Sequence, residues 1–106
     1  MICEMDEQEA HYRRQVQDFP GSALPHFALG RYLLERGRCD EAITPLVEAN
    51  RLQPNYAAGL LALGDAYKGA GLTGEARSAF EAARRVALAQ HHPSLAEEID
   101  GRLADL

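Results

Sequence analysis

The chain has 106 residues, 46% of them hydrophobic and 25% charged, with a formal net charge of −5 at pH 7. That is one domain's worth of chain with apolar residues enough for a core, and such a composition excludes extensive disorder. The acidic balance speaks against nucleic acid, which needs a basic face, and no 18-residue apolar run is present to span a membrane. Two cysteines, Cys3 and Cys39, without a C-x-x-C pattern, indicate a reducing compartment. The first residues carry neither the basic nor the apolar region of a signal peptide, so the expected location is the cytoplasm, as a whole protein or as one domain of a longer one.

Apolar positions recur at three- and four-residue steps and β-branched residues are few, which predicts helix nearly throughout. Helices are expected at about 5–18, 23–35, 41–52, 57–69, 75–90 and 94–105. Phe19-Pro20-Gly21-Ser22 ends the first, and Ser22 is placed to cap the second, with Pro25 harmless in its first turn. Gly37 follows the second helix where a left-handed residue is wanted, and Asp40 is placed to cap the third. Pro45 lies inside that helix and deprives the Glu41 carbonyl of its partner, so a bend rather than a break is expected. Gln53-Pro54-Asn55 stops the third helix, and Gly69 and Gly71 close the fourth. Thr73 is expected to cap the fifth, and Ser94 with Glu97 has capping-box spacing for the last.

Residues 23–56 and 57–90 align without a gap at an offset of 34, with nine identities. Unrelated segments would share roughly two or three. Leu29-Gly30 returns as Leu63-Gly64, Gly37 as Gly71, Glu41-Ala42 as Glu75-Ala76 and Ala49 as Ala83. A fixed period of this length is the mark of a stacked supersecondary unit. The unit resembles the tetratricopeptide repeat, whose pattern is W-x₂-L-G-x₂-Y, then A-x₃-F, then P. Residues 23–56 supply Leu29-Gly30, Leu33, Ala42, Leu46, Ala49 and Pro54; residues 57–90 supply Leu63-Gly64, Tyr67, Ala76, Phe80 and Ala83. The Trp position holds His26 and Leu60, and Leu88 replaces the closing Pro, which lets helix 75–90 run past the usual stop.

The resemblance implies an all-α fold, a right-handed α-solenoid of antiparallel helix hairpins, in one domain. Residues 1–21 form an N-terminal half-repeat, 22–91 two units (23–56 and 57–90), and 92–106 a capping helix. The register extends backwards, since Tyr12 and Pro20 lie 34 residues before Leu46 and Pro54. Leu95, Ile99 and Leu103 form one stripe on 94–105, as a terminal cap requires. Small residues at Gly30, Gly64, Ala42, Ala76, Ala49 and Ala83 are expected to let helices approach closely, with Leu29, Leu33, Leu46, Leu63, Tyr67 and Phe80 filling the flanks.

Such arrays imply a non-catalytic protein-interaction module. Helix 23–35 carries a second stripe, Leu24, Phe27, Arg31 and Leu34, answered in the next unit by Ala58, Leu61, Asp65 and Lys68. In the family this stripe lines a concave groove that receives peptides, which makes Leu24, Phe27, Arg31, Leu34, Leu61, Asp65 and Lys68 the expected contact set. Phe27 and Leu61 have an equal rival role as core or self-association residues, and the charges as plain solvated groups. The carboxylate clamp of some family members is absent, since Phe27, Arg31 and Ala62 hold its places. A ligand with apolar character, laid in as a helix or extended segment, fits better. A homodimer is the alternative, with helix 5–18 its second candidate surface. No cofactor or metal is expected: His91-His92 is an adjacent pair, which cannot face one ligand from a helix. Asp6, Glu7 and Glu9 are expected to form a solvated face favouring a helix N-terminus.

Overall fold

The computed structural model describes residues 6–106, so Cys3 lies outside the described residues. Among the described residues the fold is all-α, with six helices and no strand: α1 (Glu7–Asp18), α2 (Ala23–Glu35), α3 (Cys39–Leu52), α4 (Ala57–Gly69), α5 (Thr73–Ala89) and α6 (Pro93–Ala104). Each helix packs on its neighbours in sequence, and α2 also meets α4 directly. The resulting body measures 42 × 29 × 20 Å.

The turns explain where the helices begin. Gly37 and Gly71 adopt φ of 74° and 82°. There the Gly37 N–H donates to the Leu34 carbonyl at 2.9 Å, and the Arg38 N–H donates to Leu33 at 2.9 Å. Gly71 and Leu72 repeat the pattern on Lys68 and Tyr67 at 3.0 and 2.8 Å. These paired bonds satisfy the last carbonyls of one helix and lead directly into the next. α3 and α5 therefore start two residues earlier than the periodicity predicted, at Cys39 and Thr73.

The expected side-chain caps do not form. Thr73 lies inside α5, whose N-cap is Leu72. Ser22 occupies the cap position of α2 but makes no side-chain bond. Ser94 lies inside α6 behind Pro93, with His92 as N-cap. Asp40 is the second residue of α3 and accepts only from the neighbouring Glu41 N–H at 3.1 Å. The cap that does form is Asp6, which accepts from the Glu9 N–H at 2.8 Å. α3 runs unbroken through Pro45. α5 reaches 17 residues, as the loss of the closing Pro allows, and ends in the same left-handed turn. Here a side chain bears it: His91 has φ 60°, and its N–H and that of His92 donate to Leu88 and Ala87.

Close approach occurs at the expected glycines. A Cβ built at Gly30 would fall on the Leu46 side chain, and one at Gly64 on the Phe80 ring, the corresponding pair 34 residues on. Leu33, Leu46, Phe80 and Ile99 are the largest fully buried side chains, each worth about 1.5–3 kcal/mol of burial. Ala42, Ala76 and Ala83 are wholly inaccessible between them. Gly69 makes room for Cys39, which is half-buried with a free thiol and joins the start of α3 to the end of α4.

Candidate functional site

The seven stripe residues divide into three environments. Leu24 is 70% exposed, and Arg31 and Lys68 are also open to solvent. Leu34 and Asp65 are half-buried. Phe27 and Leu61 are buried at 9% and 8% exposure and belong to the apolar interior. Tyr56 covers Phe27 edge-on, with ring centroids 5.2 Å apart at 67°. The Arg31 guanidinium stands 5.9 Å from the other side of that ring, within cation–π range.

Asp65 is not a free carboxylate. Its two oxygens accept from Arg102 Nη1 of α6 at 3.0 and 2.9 Å, and Glu98 lies 3.6 Å from the same guanidinium. Burial pushes the Asp65 carboxyl above its ordinary range, because desolvation outweighs the opposing pull of Arg102 and Lys68. Stripe positions were assigned within single helices, and no one-helix pattern shows that α6 will reach α4.

Around Leu24 two shallow clefts adjoin. One, of about 280 Å³, is lined by Tyr12, Leu24, Phe27, Ala28, Arg31, Tyr32 and Glu35. The other, of about 300 Å³, shares Tyr12, Leu24 and Ala28 and adds His11, Gln15 and Pro25. In α4 the residue equivalent to half-buried Ala28 is Ala62, which is buried, since α4 has both α2 and α3 packed before it. α2 has only α1 in that place, and Leu24 stays bare.

A larger cleft, of about 610 Å³, lies among α1, α2 and α3 and was not anticipated from sequence. His26, Leu29 and Leu33 line it from α2, Val16 from α1, and Ile43, Pro45 and Val47 from α3. His26 Nε2 donates to the Pro20 carbonyl at 2.9 Å, which spends its polar group within the chain. Six lining residues, His26, Leu29, Leu33, Glu41, Thr44 and Pro45, have their equivalents 34 positions on in a second cleft of about 470 Å³. The repeat thus reproduces a surface feature as well as a core. Val47, an exposed apolar residue of α3, adds to the rim of the larger cleft.

The acidic cluster departs from expectation. Glu7 is solvated, but Glu9 is buried at 5% exposure. It accepts from Arg13 Nε at 2.9 Å and from Arg38 Nη1 and Nη2 at 2.7 and 3.2 Å. Arg38 at the same time grips Glu41 through Nε and Nη2, both at 2.8 Å. The Arg38 guanidinium beside Glu9 holds that carboxyl below its ordinary range. Asp6 accepts from the Tyr32 hydroxyl, which chiefly lowers its own carboxyl, and stands 3.1 Å from Arg36.

Among the described residues no group of three or more His, Cys, Asp or Glu is placed to hold a metal ion, and no helix is long and apolar enough to cross a membrane. Among solved structures, the chain is similar to the solution structure of protein BPP2914 from Bordetella parapertussis. The TM-score is 0.80 at 23% sequence identity, over 95% of this chain and 88% of that one. At that identity the likeness shows a shared fold alone. No family model matches the chain, and no curated protein matches it.

Proposed function

We propose that the chain is a tetratricopeptide-type repeat module, a right-handed α-solenoid of antiparallel hairpins that binds a partner peptide or helix without catalysis. The observation that carries this is the succession of first helices: α2 touches α4, and Arg102 of α6 reaches Asp65 of α4. Leu24, Arg31, Leu34 and Lys68 are the side chains on that succession with surface to offer. Phe27 and Leu61 act beneath them as support. The partner brings apolar groups for the clefts beside Leu24 and a negative charge for Arg31 and Lys68. A cytoplasmic location goes with this proposal, on the cysteine usage.

The test is a peptide selected from a displayed library against the folded chain, mapped by amide chemical shifts. Perturbations are expected on α2 and α4 around Leu24, Arg31, Leu34 and Lys68. The double variant Arg31→Glu, Lys68→Glu should lose the interaction while keeping its helical signal. Shifts confined to the α3 and α5 faces, or binding unchanged in the double variant, would refute it. Phe27→Glu or Leu61→Glu are poor tests, because both place a charge in the core and lose the fold with the binding. A homodimer is the second proposal, favoured by Leu24 and Phe19, exposed at 70% and 56% at the same end of the molecule.

A further inference from the structure

α1 is held unlike the other helices. Its sole buried residue is Glu9, whereas α4 buries seven residues, none of them charged. Apolar docking comes from half-buried Tyr12, whose ring lies 5.3 Å from that of Tyr32, and from half-buried Val16. The remainder is ionic. Glu9 faces Arg13 on α1 and Arg38 at the head of α3, with Glu41 on the far side of that guanidinium. Asp6 faces the Tyr32 hydroxyl and Arg36, whose guanidinium lies 5.0 Å from the Tyr32 ring. The tether from α1 to α2 is Phe19-Pro20-Gly21-Ser22, four residues with one stiff and one free backbone position. Short links of this kind let an element fold back on its own chain or reach across to another.

We propose that α1 is an exchangeable element, which releases from its own chain and docks on the Tyr32–Arg38 surface of a second copy to form a dimer. The second copy is the favoured occupant because the charges match by construction. The surface presents Arg36 and Arg38, and α1 brings Asp6 and Glu9, three residues apart on one face. The exchanged dimer repeats every contact of the monomer, so only the link and the cost of association separate the two states. Monomer prevails in dilute solution and dimer in concentrated solution. Acid speeds the exchange, because protonating Glu9 and Asp6 removes the carboxylates that α1 offers to Arg38 and Arg36.

The experiment uses two full-length copies with reversed charges, one Glu9→Arg and the other Arg38→Glu. Each alone sets like charges together at the clasp. An exchanged pair of the two restores opposite charges at both clasps. Mixing them should give a heterodimer by light scattering, with association about tenfold tighter than either copy shows alone. In the native chain, a Gly-Ser spacer inserted after Gly21 should abolish the dimer, and deletion of Pro20 and Gly21 should enrich it. No preference for the heterodimer would overturn the proposal, as would a native dimer that ignores the link length. A dimer that Leu24→Glu removes and the spacer leaves intact would assign self-association to the surface beside Leu24 instead.

Discussion

Some glycines in this chain, Gly64 among them, are spaces for another helix, while Gly101 is merely a weak helix residue, and alanine should tell the two kinds apart. In α4, a Cβ at Gly64 would fall on the ring of Phe80, which is wholly buried and flanked by Ala76 and Ala83. The ring cannot yield without displacing those neighbours. In α6, a Cβ at Gly101 meets nothing within 4 Å. Both substitutions gain helix propensity, about 0.5–1 kcal/mol. Gly64→Ala then loses about 1–3 kcal/mol to overpacking, which leaves it less stable than the native chain. Gly101→Ala should keep its gain. The two variants should thus differ by about 2 kcal/mol, or about 10 °C in Tm for a domain of this size. Thermal unfolding followed by circular dichroism reads this directly. A second measurement checks the cause: Phe80→Leu shrinks the obstructing ring, so Gly64→Ala should cost less in that background than in the native one. Equal stability of Gly64→Ala and Gly101→Ala, or strict additivity with Phe80→Leu, would refute close helix approach as the reason for Gly64.

His91 holds a left-handed φ of 60° where the two equivalent turns use glycine, so His91→Gly should raise stability by about 0.5–1 kcal/mol in chemical denaturation. Glu9 has a folded carboxyl below its ordinary value of 4.5, so its contribution is full above that pH and is lost as pH falls through the lower folded value. The native Tm should therefore drop on acidification below that range more steeply than the Tm of Glu9→Gln, which should already be lower at neutral pH. Hydrogen exchange should place the loss in Glu9→Gln on α1 and spare α4 and α5. For Asp65 the carboxyl is raised, so ionisation in the folded state is penalised; Asp65→Asn should change stability by less than about 1 kcal/mol despite the bonds to Arg102.

Much of the fold was legible because it is written twice. Seven of the nine identities at the fixed offset are small or apolar residues kept in both copies, and Gly30 on Leu46 and Gly64 on Phe80 are the same contact made at two places. α2 and α4 begin and end at the residues that the periodicity gave. The caps of α3 and α5 were misjudged for a local reason. Side-chain capping rules assume that a helix starts from extended chain, whereas α3 and α5 start from a left-handed turn that closes the helix before them. Arg38 and Leu72 occupy the cap positions because that turn puts them there, and no serine or aspartate is needed.

The candidate site was less legible, since a helix face does not announce what covers it. Phe27 and Leu24 lie on one stripe, yet Tyr56 covers the first and none of the described residues buries the second. Asp65 and Arg31 hold the same place in successive units and have opposite fates, because α6 follows α4 and supplies Arg102. Glu9 carries this furthest. A glutamate in the first turn of a polar helix has an adequate account in the helix dipole alone, and its burial depends on an arginine 29 residues away at the end of another turn. Residues whose role is fixed by their own repeat are recoverable from sequence. Residues whose surroundings come from outside their own repeat, as those of Leu24, Glu9 and Arg102 do, are not.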